Sequence, residues 1–417
     1  EASQFLRING AKVRQTGFVS DAQIGLSFVA GSSEGQLRKA TRSTSLSGDL
    51  DADIKKILTL IDDLRAEVRF LPVDLFAEIP KNHPSSANDK TGQLLSPFEA
   101  ADELLSDLKS MDLVGHYASG SMIRALANSA GLFHWFRTES FLFDYSLYTP
   151  GQRALKGLLA GQNWNPQKYR AKISEESTRL KLLEKAPKKL TAGEYRAYLA
   201  PHAVYDLIAM FSWGCVSEAS IQQGDSPLRH IRSNQNKFSP LFSLAEDFRG
   251  GEVPRWNEEG DLSPEFLPLI ENGELKNTLI STRTAREYHL KSNGATGSEN
   301  LRSPVMATGK LSESDVLREL GTGVYLSNLH YLNWSDQPQG RITGMTRYAC
   351  FWVENGEIQG PIENMRFDDT LFRLFGSELL AVTSEAHSIP ETSTYGMRSL
   401  GSASIPGMIV SKMKFTL

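Results

Sequence analysis

Residues 195–208 decide the fold of the second half of the chain and read Tyr195-Arg196-Ala197-Tyr198-Leu199-Ala200-Pro201-His202-Ala203-Val204-Tyr205-Asp206-Leu207-Ile208. The first five residues predict a short strand. Pro201 then favours a helix start, because its fixed φ suits the first helical position. The apolar residues of that helix recur at three- and four-residue steps, namely Val204, Leu207, Ile208 and Phe211.

A predicted domain boundary lies just before this stretch. The preceding helix begins at Pro166 and ends at Ala186-Pro187-Lys188-Lys189, where proline cannot continue it. We therefore place an N-terminal domain at residues 1–188 and a C-terminal domain at residues 189–417.

The first part of the N-terminal domain predicts strands and then a helix. Apolar and polar residues alternate from Phe5 to Val29 around Asn9-Gly10, a hairpin signal because both residues accept positive φ. Residues 54–68 carry apolar side chains on one helical face, and Asp49 or Asp51 can cap that helix.

The rest of this domain continues the mixed pattern. Ser96-Pro97-Phe98-Glu99 predicts a capping box that starts a second helix. Leu113 to Thr149 predicts strands on either side of a turn at Ala127-Asn128-Ser129-Ala130-Gly131. Pro84 to Gly92 predicts a mobile loop.

The C-terminal domain predicts mostly strands. Asn-Gly pairs predict hairpins at residues 270–275 and 353–358. We expect one late helix, Asp369 to Phe375, and a terminal strand ending at Phe415. The predicted class is α+β: an N-terminal α/β domain with antiparallel strands and flanking helices, followed by a β-rich C-terminal domain.

Composition excludes several classes of protein. With 45 basic and 49 acidic residues, the chain has a net charge of −4 and no overall attraction for nucleic acid or an anionic membrane. No apolar run is long enough for a transmembrane helix. Cys215 and Cys350 are the two cysteines and read as buried thiols, which suits the cytoplasm. The chain starts at Glu1 within a strand pattern, so we expect residues before it, and a removed signal stays open.

The histidines do not have the spacing of a zinc site on a helix. The closest two of the eight, His116 and His134, lie eighteen positions apart, whereas such sites place two histidines about four or five residues apart. A self-sufficient zinc enzyme is therefore not expected. Cys215 and Ser226 remain candidates for an unrecognised nucleophile, although a buried thiol and a turn serine are the readings we favour.

Several stretches, taken in order, resemble the TldD/PmbA family, whose members are also described as modulators of DNA gyrase and classed as peptidases. Its C-terminal signatures are matched by Gly323-Val324-Tyr325-Leu326, Gly340-Arg341-Ile342-Thr343-Gly344 and Trp352-Val353-Glu354-Asn355-Gly356. Earlier matches are Trp256-Asn257-Glu258-Glu259-Gly260, Thr284-Ala285-Arg286-Glu287 and the turn at 127–131. The resemblance implies these candidate cavity or family-motif residues: Asn128, Ser129, Gly131, Glu259, Gly260, Arg286, Gly340, Thr343 and Gly344.

The resemblance also points to one branch of the family. In the TldD-like branch a helix carries His-Glu-x-x-x-His, whose histidines hold the metal with a downstream cysteine. Here Pro201, His202 and Asp206 align with the His, Glu and His of that motif. Proline has no metal-binding atom, so the resemblance implies the TldE (PmbA-like) branch, with no metal or cofactor in this chain and zinc only in a TldD-like partner.

Three hypotheses follow. The first is a non-catalytic subunit that pairs with a TldD-like partner and helps admit unfolded peptides to a shared chamber. The second is a peptide-binding or regulatory homodimer without peptidase activity. The third is a stand-alone hydrolase that uses an unrecognised nucleophile.

Overall fold

The structure is a computed structural model that describes residues 1–31, 35–82, 84–108 and 111–416. It confirms the α+β class. The elements of the N-terminal half are β1 (Ala2–Asn9), β2 (Lys12–Ser20), β3 (Ala22–Ala30), β4 (Arg38–Leu46), α1 (Leu50–Glu67), β5 (Ser86–Lys90), α2 (Ala100–Leu105), β6 (Asp112–Ala127), β7 (Phe133–Tyr148), β8 (Ala154–Gly161) and α3 (Pro166–Leu182).

Six strands of this half form one sheet in the order β2-β1-β6-β7-β5, and β8 pairs with the other part of the same edge of β7. The hairpin at Asn9-Gly10 and the turn between β6 and β7 are confirmed, but the two turn residues of the first hairpin, both with positive φ, are Gly10 and Ala11, because Asn9 still pairs with Lys12. One face of the sheet packs with α2 and α3 around buried aromatic rings, including Tyr117, Phe143 and Tyr169. The helix α3 starts as predicted, because the Asn165 side chain accepts a hydrogen bond from its first turn.

The helix α1 packs on a separate two-stranded ribbon of β3 and β4. Its N-cap is Asp49, one of the two predicted candidates. Leu64 and Val68 are buried, but Ile54 and Leu58 on the predicted apolar face are 45% and 57% exposed. A ribbon of only two strands covers one end of the helix, which leaves the first turns of that face open to solvent.

The C-terminal half is dominated by strands. Its helices are α4 (Pro201–Ala209), α5 (Glu218–Gln223), α6 (Leu228–Arg232), α7 (Thr282–Glu287) and α8 (Val316–Leu320). Its strands are β9 (Gly193–Leu199), β10 (Leu244–Asp247), β11 (Phe266–Glu271), β12 (Glu274–Leu275), β13 (Pro304–Met306), β14 (Gly323–Leu326), β15 (Asn328–Asp336), β16 (Arg341–Arg347), β17 (Phe351–Glu354), β18 (Glu357–Pro361), β19 (Arg366–Thr370), β20 (Leu379–Pro390) and β21 (Ser402–Phe415).

These thirteen strands share one sheet, with β9 near its centre, antiparallel to β21 and parallel to β14. The helix α4 leaves β9 after a single residue, and it packs on this sheet through the fully buried Ala203, Val204 and Leu207. Both predicted Asn-Gly hairpins are confirmed, as β11–β12 and β17–β18. The division of the chain at residues 188 and 189 stays a prediction.

The outer face of the N-terminal sheet lies against the C-terminal half. Arg398, only 4% exposed, donates hydrogen bonds to Ser140 Oγ at 2.8 Å and Ser3 Oγ at 3.3 Å. His134 Nε2 lies 3.0 Å from the carbonyl oxygen of Gly260. These contacts hold the ends of β6 and β7 beside the loops of the C-terminal half.

The prediction of a mobile loop from Pro84 to Gly92 was wrong. Residues Ser86–Lys90 form β5, which pairs in parallel with residues 134–138 of β7. This strand is polar, so it lacks the apolar alternation that identifies a strand in a sequence. Its pairing depends on backbone hydrogen bonds to β7, and these do not require particular side chains.

Two predicted helix boundaries also need correction. Ser96 Oγ donates to the Glu99 carboxylate at 2.7 Å instead of capping a backbone N–H, and α2 begins only at Ala100. In the late predicted helix, Asp369 belongs to β19, and a helical turn covers only Leu371 to Ser377. Asp369 accepts a hydrogen bond from Lys414 N at 3.0 Å, which ties it to the terminal strand.

A substitution at Gly120 tests the close pairing of β1 with β6. It has φ +153°, and a Cβ there would lie 2.0 Å from Ala2 O. We expect Gly120→Ala to lower the free energy of unfolding by about 2–4 kcal/mol, since the backbone of β1 must shift. In the matched control Gly17→Ala in β2, a Cβ would meet nothing within 4 Å. Denaturant unfolding followed by circular dichroism checks this, and equal stability of the two variants would contradict it.

Candidate functional site

A cleft of about 760 Å³ lies where the two halves of the chain meet, and we call it the central cleft. The residues that line it fall within 124–126, 205–213, 253–258, 296–304 and 391–403. This volume is typical of clefts that bind small molecules or short peptide segments. The cleft is therefore the candidate functional site.

The helix α4 forms one wall of the central cleft. Tyr205, Ile208 and Ala209 line it, as does Ser212 in the 3-10 turn that follows the helix. Pro201 occupies the first helical position, and the preceding Ala200 has extended backbone, so the helix starts as the sequence predicts. The stretch predicted to align with the metal motif thus lies on the helix that borders the cleft.

His202 is half-buried on α4. Burial lowers the pKa of its imidazole to about 4, and the positive charge of Lys172 on α3 lowers it further, as do His387 and Lys156. The side chain is therefore neutral at physiological pH. Its neighbours are cationic groups, which is not the environment of a general base that must accept a proton.

Asp206 has a structural role at the other side of α4. Its Oδ2 accepts a hydrogen bond from Leu329 N at 2.8 Å, which fixes the helix to the start of β15. Burial raises the pKa of this carboxyl group to about 7, against the opposing effect of the Leu329 hydrogen bond. Asp206 thus holds the helix in place and carries a proton over much of the neutral and acidic pH range.

These residues do not fit a metal ion. Pro201 offers no donor atom, and Asp206 is bound to the backbone of β15. Among the described residues, no three His, Cys, Asp or Glu side chains converge as a metal site requires. His83 lies outside the described residues.

The turn between β6 and β7 and the loop before β11 lie against each other beside the central cleft. Asn128 organises the turn: its side-chain oxygen accepts from Ala130 N and Leu132 N, and its amide donates to Lys81 O. Gly260 has φ +92°, and a Cβ there would lie 2.2 Å from Leu132 Cδ2. Glycine is thus required at position 260 for this close approach.

The remaining predicted residues of this region make ion pairs or stay at the surface. Glu259 lies 3.6 Å from Lys39 Nζ, and burial raises the pKa of its carboxyl group. Arg286 forms an ion pair with Glu78 at 2.9 Å. Gly131 has φ +99°. Ser129 is exposed at the tip of the turn.

Gly340, Thr343 and Gly344 lie in a different place, at and within β16. Gly340 has φ +63°, and Thr343 Oγ1 donates to Phe367 O at 3.1 Å. A Cβ on Gly344 would lie 2.7 Å from the Phe367 ring. These three residues shape the pairing of β16 with β19 and do not line the central cleft.

The two candidate nucleophiles are fully buried. Burial raises the pKa of the Cys215 thiol well above its usual value, which keeps it protonated. Ser226 Oγ donates to the carbonyl of Cys215 and accepts from Leu228 N at 3.1 Å. Both side chains serve the packing of α5 and α6, and neither reaches the central cleft.

Residues 192–417, more than half of the chain, match the family model described as the PmbA/TldA metallopeptidase C-terminal domain. The chain belongs to the TldD/PmbA family. It is 39% identical over 100 residues to Metalloprotease PmbA of Escherichia coli O157:H7. That match spans 23% of this chain and only 20% of the relative.

Solved structures share the fold over the whole chain. A candidate modulator of a DNA gyrase from Thermotoga maritima has a TM-score of 0.77 at 16% identity, covering 100% of this chain and 94% of its own. TldE from Thermococcus kodakarensis has a TM-score of 0.75 at 15% identity, and the match covers 100% of this chain and 95% of TldE. At these identities the likeness shows the TldD/PmbA fold alone.

Motifs of the TldD/PmbA family led to only part of the cleft. Trp256, the first residue of the matched stretch 256–260, borders the cleft, whereas Glu259 and Gly260 from the same stretch lie beside it. No sequence motif includes Arg124 or Arg398, which line the cleft. They are single residues in distant segments, and only the packing of the two halves brings them together.

Asp206 makes the stability of the protein depend on pH. Since its folded pKa of about 7 exceeds the unfolded value near 3.8, its contribution is full below about pH 4 and is lost as pH rises through 7. We expect Asp206→Asn to remove this pH dependence of the free energy of unfolding, which amounts to about 2–4 kcal/mol between those two pH values. The unpaired amide N–H of the variant carries a cost that does not change with pH.

Denaturant unfolding at a series of pH values measures the slope. Asp225→Asn is the matched control, because Asp225 is exposed in a turn near α6. Parallel pH profiles for the wild type and Asp206→Asn would contradict the assignment.

Proposed function

We propose that this chain is a non-catalytic, TldE-like subunit of a TldD/TldE-type metallopeptidase complex that degrades or processes unfolded peptides. The observation that carries the proposal is the helix α4, which borders the central cleft and contains Pro201, His202 and Asp206, the residues that the resemblance aligns with the metal motif of a catalytic relative. The positive charge of Lys172 helps to keep the half-buried His202 neutral, and Asp206 is held by β15. The metal and the activating glutamate must then come from a TldD-like partner.

The central cleft supports a role in holding the substrate. Its walls combine apolar side chains, among them Ile208, Val253 and Leu301, with polar and charged groups. Such a surface suits an extended peptide of varied sequence, whose main chain can bind with little selectivity for side chains. The names of the relatives, a metalloprotease and a TldE, agree with a place in peptide metabolism.

The cytoplasm is the proposed location. Both cysteines are unpaired and buried, as is usual in a reducing compartment. Within the described residues, no helix is long and apolar enough to cross a membrane.

The proposal predicts that hydrolysis requires two different chains. We expect the purified chain alone to leave a flexible peptide intact and to bind no stoichiometric zinc. Co-purified with a family member that carries His-Glu-x-x-x-His, it should form a complex that contains zinc and cleaves the peptide. Metal analysis and a chelator-controlled cleavage assay measure both.

Two controls sharpen this experiment. Replacing the motif glutamate of the partner by glutamine should abolish cleavage without dissolving the complex, whereas His202→Gln in this chain should leave cleavage unchanged. Cleavage by the purified chain alone, inhibited by a chelator, would overturn the proposal.

A homodimer that binds peptides without cleaving them is the second candidate function. It needs no metal and no catalytic partner, only the apolar and charged lining that the central cleft has in the described residues. Co-purification decides between the two functions, because a homodimer would not take up a motif-bearing partner.

Trp213 tests whether peptides bind in the central cleft. Its side chain lines the cleft and is 53% exposed, so it can pack on a ligand. We expect Trp213→Ala to weaken the binding of a flexible peptide about tenfold, with little change in stability. Tyr331→Ala, which removes a 76% exposed ring outside the cleft, is the control. Fluorescence anisotropy with a labelled peptide measures both, and equal affinities would place the peptide elsewhere.

A further inference from the structure

Three arginines line the central cleft: Arg124, Arg302 and Arg398. They come from β6, from the segment before β13 and from the segment between β20 and β21. In the described part of the chain, none of them forms an ion pair with a carboxylate. The lining of the cleft thus has three arginines against two carboxylates, Glu258 and Glu391, and is net positive within a chain whose net charge is negative.

Arg302 and Arg398 are fixed by uncharged acceptors. Arg302 donates to the carbonyl oxygens of Trp256 and Gly294, both at 3.0 Å, and to Ser263 Oγ at 2.6 Å. The Arg398 guanidinium donates to hydroxyl and carbonyl groups of the N-terminal sheet. Their positions are set by the fold, so a ligand would meet charges that are already in place.

Arg124 has the most unused hydrogen-bonding capacity. One nitrogen of its guanidinium donates to Ile123 O at 2.8 Å, and another lies 3.7 Å from Met397 Sδ, a weak acceptor. A guanidinium has five N–H donors, so most of its fork remains available. Its side chain is half-buried and reaches the cleft.

The carboxylates near this cluster do not neutralise it. Burial lowers the pKa of all three arginines, and the opposing influence of Glu1 on Arg124 and Arg398 is the smaller effect. Glu246 and Glu258 act on Arg302 in the same way, and Glu391 also lines the cleft. Partly desolvated cations without a contacting anion favour a ligand that supplies one.

We propose that the central cleft binds the carboxylate groups of peptides through Arg124, with Arg302 and Arg398 adding positive charge from fixed positions, so that acidic peptides are preferred. This inference rests on the proposed function, since it specifies the substrate class of the same cleft. The carboxylate can be an acidic side chain or the C-terminus of the peptide. Arg124 can bind it in a bidentate manner, because its planar fork matches the two oxygens.

The apolar walls of the cleft favour a peptide over other polyanions. The Trp256 ring lies between His134, at 4.9 Å between ring centroids, and the cleft, and Leu301 lies on the same wall. These surfaces accept apolar side chains that flank an acidic residue. A phosphate chain would leave them uncovered.

Four labelled, unstructured peptides of one length test the proposal by fluorescence anisotropy with the full chain. The first is acidic with a free C-terminus, the second is the same peptide with an amidated C-terminus, the third replaces its acidic residues by amides, and the fourth replaces them by lysines. We expect the first to bind about tenfold more tightly than the third at low salt, and the difference to shrink at about 0.5 M salt. The second peptide distinguishes an acidic side chain from the C-terminus as the bound carboxylate. A loss of affinity on amidation assigns the bound carboxylate to the C-terminus.

Substitutions of Arg124 test whether its positive charge is the one that binds the peptide carboxylate. Arg124→Gln should weaken the acidic peptide about tenfold and hardly affect the amide peptide, whereas Arg124→Lys should restore part of the preference. Arg14→Gln, on exposed β2, is the matched control and should change neither peptide. Circular dichroism and thermal unfolding check that each variant folds.

Two outcomes would overturn the inference. Equal binding of acidic and amide peptides would show that the cleft has no charge preference, and so would an equal loss for both in Arg124→Gln. Chelator-sensitive cleavage by the chain alone would instead overturn the proposed function and leave a measured preference for acidic peptides intact. The absence of binding by all four peptides would contradict both.

Discussion

The junction between β9 and α4 is the constraint on which the rest of the C-terminal half depends. Ala200 is the single residue between strand and helix, and its N–H donates to Leu326 O on the neighbouring strand at 2.9 Å. Pro201 cannot donate a hydrogen bond to continue the sheet, and its fixed φ turns the chain into a helix at once. As a result α4 lies directly on the sheet, and its next turns border the central cleft.

The two polar residues of α4 are used for packing rather than chemistry. Asp206 accepts a backbone N–H of β15, and His202 stays neutral where α3, β8 and β20 approach it. Both groups are desolvated, and burial shifts their pKa values in opposite directions, each toward the uncharged form. The helix that the resemblance assigns to metal binding in catalytic relatives is here a buried element that shapes the cleft.

The sequence predicted those elements whose signals are local. The two later Asn-Gly turns, the Asn165 cap and the Pro201 helix start each depend on the conformational preference of one or two residues, and all of them are confirmed. The first hairpin also forms, but it turns one residue later, at Gly10 and Ala11. The strand β5 was missed because its stability comes from β7, which is distant in sequence. Among the candidate site residues, the motif stretches led to Asn128 and Gly260 beside the cleft, but the β16 residues belong to a separate part of the sheet.

The arginines of the cleft could not be found in this way, since their importance arises only from assembly. Arg398 is an ordinary polar residue in the sequence, yet in the fold it crosses from the C-terminal half to the N-terminal sheet and is 4% exposed. Its acceptors are neutral, so the contact that joins the two halves also leaves positive charge beside the cleft. A charge held by the fold in this way contributes to binding without taking part in bond cleavage. This separation is what a subunit needs if it holds a peptide while its partner performs the hydrolysis.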